Sequence, residues 1–499
     1  MTASDPHLRI ANLERELQWA QLKIQSLEER WRQHLIKFFG PKSETLSSLQ
    51  LELLEEEPSV TRDEVEGEAR REPITRSPAR ERKPHPGRKP LPDNLPRVTE
   101  VIACAAGTCA ECGEQTAVIG YDESELLDVE PAHYFVRVTK REKRACRRCE
   151  NTSVIAAPLA ERIVEKGLAS DAVVIHTVVA KYCDHLPLYR QAVMLEREAG
   201  VEIGRATLDG WVMRVGELLA PVIAAMRRDL LTRSYLQADE TTVPVQMHDR
   251  RGENHQAYLW QYGKPGGETV FEFCLGRGRE GPRKFLGQWE GVLQTDGYQA
   301  YDDVGGPKMV RVGCWAHARR KFVDAVKLNP QDAEAIAMVT RMDALFLIDR
   351  DARQRELSAE ERLAQRRQCA EEWLTAIRET SLRLSREALP KSALGQAVTY
   401  TLNQWPKLRR CFDYAEVELS NNLAENSMRP VALGRKNWLH VGSAQAGPKV
   451  AAIVSVVESC RRLGAPVKDY LMDVLPGMNR RKLAEVAQLT PARWSASRA

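Results

Sequence analysis

The sequence lacks the features that mark membrane, secreted and disulfide-stapled proteins. No apolar run reaches the ~18–20 residues that cross a bilayer, and the first residues have neither the cationic start nor the apolar stretch of a secretion signal. The 11 cysteines are odd in number and unevenly spaced, which favours reduced thiols and a metal site over a disulfide framework. We therefore expect a cytoplasmic protein. The formal net charge of +4 does not identify its partner.

The 499 residues are enough for roughly three domains, and the character of the sequence changes along the chain. In residues 8–39, apolar side chains recur at alternating steps of three and four, from Ile10 to Phe38. This heptad pattern predicts a coiled coil, and hence self-association of the chain into a homo-oligomer. An amphipathic helix packed on its own chain would show the same pattern.

Residues 40–100 have the composition of a linker. Residues 52–68 contain eight acidic residues and one Arg, whereas residues 70–97 contain nine basic residues, three acidic residues and seven prolines. Proline at this density is incompatible with a helix or a sheet. The segment is therefore predicted to be a disordered tether, or an extended basic arm that lies on DNA phosphates.

Residues 101–160 contain two CxxC pairs, separated by a strand-rich spacer of 33 residues. Four thiolates can surround a structural zinc ion as a tetrahedron, so the segment is predicted to be a zinc-ribbon-like module. The predicted zinc ligands are Cys109, Cys112, Cys146 and Cys149.

Residues 161–230 are predicted to be helical and to contain a helix-turn-helix. One amphipathic helix is closed by Gly200, a short turn follows, and a second helix opens at Arg205. In such a motif the N-terminal part of the second helix reads DNA. We therefore expect Arg205, Thr207 and Asp209 to be the recognition residues, with Arg205 and Thr207 in contact with DNA, although many three-helix bundles show the same pattern.

Residues 231–460 are predicted to form the catalytic core, because three acidic side chains stand out in them. Asp239 and Asp296 each follow a buried-strand pattern, and Glu425 lies in a helical segment after a polar start. A lone buried Asp suggests a salt bridge, whereas acids from two strands suggest a metal site. Their oxygens suit a pair of Mg²⁺ (or Mn²⁺) ions, which ~3.5–4 Å apart can activate an attacking oxygen and stabilise a leaving one. The pattern predicts an RNase H-like phosphoryl-transfer core.

The segments around these acids complete the predicted architecture, a multidomain α/β protein. Residues 323–415 are rich in Ala, Glu, Arg and Leu and are predicted to be a helical insertion in the core. Residues 461–499 are expected to be a C-terminal tail. For His317, a hydrogen-bonded core position is the alternative to a role in the site. Basic side chains near the acids are predicted to hold DNA: His317, Arg319, Arg320, Arg429, Arg435 and Lys436.

Four motifs carry a resemblance to a known family. They are Ala238-Asp-Glu-Thr, Thr295-Asp-Gly-Tyr-Gln-Ala-Tyr301, Cys314-Trp-Ala-His-Ala-Arg-Arg-Lys-Phe322 and Asn421-Asn-Leu-Ala-Glu-Asn-Ser-Met-Arg-Pro430. With the heptad start and the double CxxC module, the chain resembles the IS66-family transposases over nearly its whole length. The resemblance implies a DDE transposase with Asp239, Asp296 and Glu425 as catalytic acids. It also implies a bacterial, nucleoid-associated protein of an insertion sequence, with small accessory proteins encoded beside it.

The resemblance implies a reaction and leaves two alternatives. The reaction is hydrolysis of the phosphodiester at each element end, followed by attack of the freed 3′-OH on target DNA. One alternative is a catalytically inactive DNA-binding regulator. The other is a structure-specific nuclease built on the same core.

Overall fold

A computed structural model describes residues 6–39, 134–144, 155–156, 158, 161–165, 167–247 and 254–498. The predicted linker and the four cysteines of the predicted zinc site lie outside the described residues. The chain divides into two compact units, residues 73–140 and the remainder. The described part of the smaller unit, residues 134–140, contains no helix or strand. All elements named below belong to the larger unit.

The N-terminal helix α1, Pro6–Phe39, covers the heptad segment. Its contacts with the rest of the unit include a hydrogen bond from the Arg32 guanidinium to the Leu328 carbonyl (2.7 Å) and one from the Ala393 N–H to Glu29 (3.2 Å). Its apolar seam stays 52–63% exposed, in Ile10, Leu13, Leu17, Ile24, Leu27 and Trp31. Those six side chains are therefore not packed on their own chain, as the alternative required.

Short strands and three helices precede the main sheet. Strands β1, Lys143–Arg144, and β2, Ile155–Ala156, pair antiparallel. The helices are α2, Asp171–Tyr182, α3, Leu188–Ala199, and α4, Arg205–Leu230. Helix α3 ends at Gly200, whose φ of +64° is favourable for glycine. The helix, short turn and helix predicted for this region are thus present.

Five strands form one mixed sheet in the order β5–β4–β3–β6–β7. The strands are β3, Tyr235–Gln246, β4, Asn254–Gly263, β5, Thr269–Cys274, β6, Val292–Gln294, and β7, Val310–Val312, with helix α5, Glu280–Leu286, between β5 and β6. Central strand β3 pairs antiparallel with β4 and parallel with β6. Its residues Leu236, Val243 and Val245 are fully buried, as expected where β-branched and apolar side chains fill a pleated surface.

Four helices follow the sheet: α6, Trp315–Leu328, α7, Ala333–Gln354, α8, Ala359–Glu387, and α9, Ala393–Arg409. The predicted insertion boundary at residue 323 therefore falls inside α6. Trp315, Phe322 and Met338 belong to a buried cluster that also contains Val292 and Val312 of the sheet. The helical lobe and the sheet share a core, so the packing of the lobe contributes to the position of the sheet residues.

The remaining helices close the structure against α2, α4 and the edge of the sheet. They are α10, Asn422–Trp438, α11, Ala446–Arg462, α12, Val467–Val474, α13, Leu483–Val486, and α14, Pro491–Ala496. The Ser455 and Ser459 hydroxyls of α11 accept hydrogen bonds from the N–H groups of Phe271 (2.8 Å) and Thr269 (3.0 Å). Those bonds satisfy donors of edge strand β5 that would otherwise be open to pairing.

The segment expected to be a tail is packed in the structure. Tyr470 of α12 is fully buried and Trp494 of α14 is 8% exposed, with their ring centroids 5.5 Å apart. Aromatic pairs of this kind bury large apolar areas, so residues 461–498 are part of the folded unit. None of the helices in the described residues is long and apolar enough to cross a bilayer.

Candidate active site

Two parallel strands bring Asp239 and Asp296 to the same end of the sheet. Gln237 on β3 is in register with Gln294 on β6, and each aspartate lies two residues beyond its glutamine. The two strands run in the same direction, and both aspartates follow the last paired residues: Asp239 lies inside β3, which continues to Gln246, and Asp296 lies just beyond the end of β6. The register therefore places the two acids side by side.

The turn after β6 fixes the orientation of Asp296. Its Oδ1 accepts a hydrogen bond from the Tyr298 N–H (2.9 Å), and its carbonyl accepts one from the Tyr400 hydroxyl (2.5 Å). Between them, Gly297 has a φ of +98°, and a Cβ there would lie 2.8 Å from the side chain of Gln404. Glycine is required here by both backbone conformation and space.

Glu425 lies in the first turn of α10, and two hydrogen bonds attach the start of that helix to β3. The Gln237 amide donates to the Ser420 carbonyl (2.9 Å), and the Asn421 amide donates to the Ala238 carbonyl (3.3 Å). Because Ala238 directly precedes the first aspartate, the helix begins beside it. Glu425 thereby joins the site from a segment distant in sequence.

The charges of the neighbouring acids act on Asp239. Burial raises the pKa of Asp239 well above its ordinary value, and the charges of Glu240, Glu425 and Asp296 raise this pKa further. Such mutual effects require short separations, because Coulomb interactions weaken with distance and screening. The site therefore concentrates negative charge that a cation would stabilise.

Helix α6 supplies the partners of Glu425. The Arg320 guanidinium lies 3.4 Å from Oε2, and the His317 Nε2 lies 3.4 Å from Oε1 without forming a hydrogen bond. Burial lowers the pKa of His317, although the neighbouring Glu425 acts in the opposite direction. The imidazole is therefore neutral at pH 7, and Arg320 is the permanent charge beside the glutamate.

A second acid follows the first aspartate and was not expected as part of the site. Glu240 has a side chain only 2% exposed, and it accepts hydrogen bonds from the Arg277 guanidinium (2.7 and 3.0 Å) and the Tyr301 hydroxyl (3.0 Å). Arg277 in turn lies over the Tyr298 ring, 4.1 Å from its centroid. Tyr298 and Tyr301 belong to a motif noticed in the sequence, whereas nothing in the sequence singled out Arg277.

Two of the predicted DNA contacts are engaged within the fold. Arg319 is 2% exposed and pairs with Asp343, so the prediction that it contacts DNA does not fit this structure. Arg435 is half-buried and donates to the hydroxyl of Thr242 (2.6 Å) and to its carbonyl, which links α10 to β3. A guanidinium has five donors in a rigid fork and readily serves such structural bonds.

The other predicted DNA contacts lie on accessible surfaces. Arg205 and Thr207 are exposed on the first turn of α4, and Lys436 is exposed on α10. The Arg320 side chain is 47% exposed beside Glu425. The remaining two are half-buried: Arg429 lies on α10, one helical turn after the glutamate, and the His317 side chain on α6 is 20% exposed.

The carboxylate oxygens of the site are chemically suitable ligands for a divalent cation. Among the described residues, no group of three or more His, Cys, Asp and Glu side chains is already arranged around one point as a metal site. The Glu425 Oε1 is nevertheless buried without a hydrogen-bond partner, and Asp239 is a half-buried carboxylate on which the charges of three other acids act. Mg²⁺ prefers such hard oxygen ligands and keeps water or phosphate in its other positions.

Comparison with known families gives three matches along the chain. Residues 166–449 match the family described as "Transposase IS66 family". Residues 26–99 match "Transposase C of IS166 homeodomain", and residues 107–150 match "zinc-finger binding domain of transposase IS66". The order of these matches is the order of the heptad, cysteine and acidic segments in the sequence.

Similar proteins include three uncharacterized proteins of Sinorhizobium fredii (strain NBRC 101917 / NGR234). Uncharacterized protein y4jD is 33% identical over 81% of this chain and 82% of its own length, and y4hP is 31% identical over 95% and 88%. The third, y4qI, is 30% identical over 79% of this chain and 74% of its own length. On the family match over residues 166–449 and on these relatives, the chain belongs to the IS66 transposase family.

Proposed function

We propose that the protein is a DDE-type DNA transposase that cleaves DNA at the ends of an insertion sequence and joins the 3′-OH ends to target DNA. The observation that carries the proposal is the convergence of Asp239, Asp296 and Glu425 at one end of the sheet. They come from three distant parts of a chain in the IS66 transposase family. Glu425 lies beside Arg320, whereas the charges that act on Asp239 are those of the acids Glu240, Glu425 and Asp296.

The core is proposed to be RNase H-like. Support comes from a five-stranded mixed sheet whose central strand carries Asp239 and whose parallel neighbour leads to Asp296. The Asn421 amide, directly before α10, donates to the Ala238 carbonyl and so attaches the start of the helix of Glu425 to the central strand beside Asp239. This is the arrangement by which a sheet can hold acids rigidly while DNA approaches from one side.

Asp239, Asp296 and Glu425 would together hold the two Mg²⁺ or Mn²⁺ ions of such a site. When bound, these ions polarise the phosphate, lower the pKa of the attacking water and neutralise the leaving oxygen. The chain's own residues position the carboxylates: the Tyr298 N–H and the Tyr400 hydroxyl hold the residue at 296. No side-chain base is required in this proposal.

The protein's surface supplies the contacts that would orient DNA. Arg320 of α6 is half-exposed beside Glu425. Arg429 lies on α10, one turn after Glu425 and on the same face of that helix. These two cations, with His317 and Lys436, are proposed to hold the phosphate backbone at the site. Arg205, on the exposed first turn of α4, is proposed to contact the terminal inverted repeats.

The other segments would assemble the complex. Cys109, Cys112, Cys146 and Cys149 are proposed to bind a structural Zn²⁺ ion, since they lie in the region that matches a zinc-finger domain. The exposed seam of α1 is proposed to pair with another copy of the chain. Small accessory proteins and association with the bacterial nucleoid in the cytoplasm remain part of the proposal.

The test is cleavage of a plasmid that carries the element's inverted repeats. We expect Asp239→Asn to keep repeat binding and to lose Mg²⁺-dependent cleavage by roughly 100-fold or more, because an electrostatic contact to the transition state is removed. The matched control is Asp303→Asn, which makes the same chemical change on a side chain that is 84% exposed. We expect this control to cleave like the parent protein.

Three results would contradict the proposal. Cleavage that survives in Asp239→Asn would exclude this aspartate as a metal ligand. Repeat binding without cleavage in either Mg²⁺ or Mn²⁺ would identify a regulator. Preferential cleavage of branched DNA or of an RNA–DNA hybrid would identify a nuclease with a different substrate.

A further inference from the structure

A cleft of about 310 Å³ opens between α2, α4 and the turn that joins α10 to α11. Its lining includes Lys181 and Tyr182 of α2, Asp209 and Met213 of α4, and Trp438 at the end of α10. None of the three acids of the candidate active site lines it. The volume is within the range of small-ligand sites, and the walls combine aromatic, apolar and charged groups as those sites do.

Lys181 is a half-buried cation in the wall of the cleft. Its ammonium lies 5.5 Å from the ring centroids of both Tyr182 and Trp438. Burial lowers its pKa to about 8, and the charge of Asp209 offsets that effect only in part. A partly buried cation of this kind is stabilised when an anionic group enters beside it.

Two buried donors in the same walls have no hydrogen-bond partner among the described residues. Tyr182 is 6% exposed and its hydroxyl is unpaired, and the Trp438 Nε1 is likewise buried and unpaired. Buried polar groups are normally hydrogen-bonded, so each of these two donors has room for a hydrogen bond to a partner from outside the folded chain. A ligand with both an anionic group and hydrogen-bond acceptors would suit this lining.

The position of the cleft indicates which ligand it meets. Asp209 lies four residues after Arg205 on α4, and residues with that spacing share a helix face. DNA bound at the first turn of α4 would therefore pass the mouth of the cleft. Trp438 ends the same helix that begins near Glu425, so the cleft lies between the proposed recognition helix and the helix of the third acid.

We propose that the cleft binds one unpaired nucleotide of the DNA substrate, with its phosphate beside Lys181 and its base against Trp438 and Met213. The proposal rests on the proposed function for its ligand but not on catalysis. An aromatic wall accepts any base, because every base has a π-face, and a neighbouring cation adds backbone affinity. The site would thus capture a strand end that has left the duplex.

Binding is tested with a labelled duplex that carries a single-stranded tail and with a blunt duplex of the same sequence. We expect the parent protein to prefer the tailed DNA, and Lys181→Met to reduce this preference roughly tenfold while leaving blunt binding unchanged. The control is Lys468→Met, the same change on an exposed lysine of α12 outside the cleft. Fluorescence anisotropy without divalent metal gives both affinities, and thermal melting by circular dichroism verifies folding.

The pH dependence provides a second readout. The titratable groups that line the cleft with Lys181 are Tyr182 of α2, Asp209 of α4, His440 of the turn and Lys449 of α11, the last of which pairs with Glu217 at 2.5 Å. Because the Lys181 pKa is about 8, the ammonium is present at pH 7 and largely lost at pH 9. The tail preference of the parent protein should fall over that interval, whereas Lys181→Arg should keep it.

Photocrosslinking locates the nucleotide directly in the unaltered protein. A tail that contains 5-iodouracil should crosslink to the peptide that carries Trp438, as identified by mass spectrometry. Crosslinks confined to other peptides, or an equal effect of Lys181→Met on tailed and blunt DNA, would overturn the proposal. If the parent protein prefers tailed DNA but does not cleave the inverted repeats, the proposed function is wrong and the nucleotide site stands. Failure of the nucleotide site is therefore distinguishable from failure of the proposed function.

Discussion

Glu240 directly follows Asp239 in β3, and side chains alternate between the two faces of a strand. The Arg277 guanidinium binds Glu240 and lies over the Tyr298 ring. Tyr298 also donates its N–H to Asp296. One arginine thus connects the residue after the first aspartate with the turn that carries the second.

Replacement of Arg277 tests this connection. We expect Arg277→Met to lower cleavage by roughly 10- to 100-fold, since displacement of catalytic groups by about 1 Å has effects of this size. Repeat binding should not change, because the proposed recognition residues lie on α4. Single-turnover cleavage and DNA affinity, measured separately, check the prediction.

Arg279→Met is the matched control for that experiment. Arg279 is two residues away, and its ion pair with Asp303 is at the surface, 3.4 Å long, with the Asp303 side chain 84% exposed. Surface pairs of this kind contribute little. An equal loss of cleavage rate in the Arg277 and Arg279 variants would show that Arg277 does not position the site.

At the scale of elements, the helical insertion holds the segment that leads to the third acid. Arg366 of α8 is fully buried and donates to Asp349 of α7 (2.8 Å) and to the Val417 carbonyl (2.5 Å). The next residue, Glu418, pairs with Arg353 and Arg362. The helical lobe therefore binds residues 417 and 418, just before α10, and its packing fixes the position at which that helix begins.

Breaking this buried network should be costly. We expect Arg366→Met to lower the free energy of unfolding by about 3–5 kcal/mol, because Asp349 remains buried without its main partner. Urea denaturation followed by circular dichroism measures the change. Arg355→Met, which removes a surface pair with Asp351 at 3.3 Å, should have little effect. A small loss in the Arg366 variant would mean that the lobe does not depend on this pair.

At the scale of the whole molecule, the apolar seam of α1 is an exposed surface. Leu13, Leu17, Leu27 and Trp31 are each more than half exposed on one heptad face. Contiguous exposed apolar surface of this kind marks association sites in soluble proteins. In the proposed function, a second copy of the same helix buries this seam and brings two of the proposed catalytic cores together.

Substitution in the seam tests self-association. We expect Leu17→Glu to weaken it by roughly 10- to 100-fold, the equivalent of one buried leucine. Trp19→Glu places the same charge on an exposed apolar residue outside the seam and should leave association unchanged. Light scattering after size-exclusion chromatography measures the mass of each variant. A monomeric parent protein would contradict the prediction.

The sequence contained the signals for most elements and for the candidate acids. Heptad spacing predicted α1, Gly200 marked the end of α3, and two apolar runs ending in Asp239 and Asp296 predicted strands that the structure contains. These signals are local, because periodicity and turn residues act over a few positions. The packed segment after residue 461 was missed, because its short helices are defined by what they pack against.

The sequence by itself determined which chemical groups are present and how far apart along the chain they lie: carboxylates on two strands and one helix, and a seam of apolar side chains. Only the tertiary structure decided which of them meet. Arg319 and Arg435 were placed within the fold, Arg277 was brought to Glu240, and Lys181 was enclosed beside Trp438. The reason is physical, since burial and ion pairing depend on distances between segments, and local sequence patterns do not specify those distances.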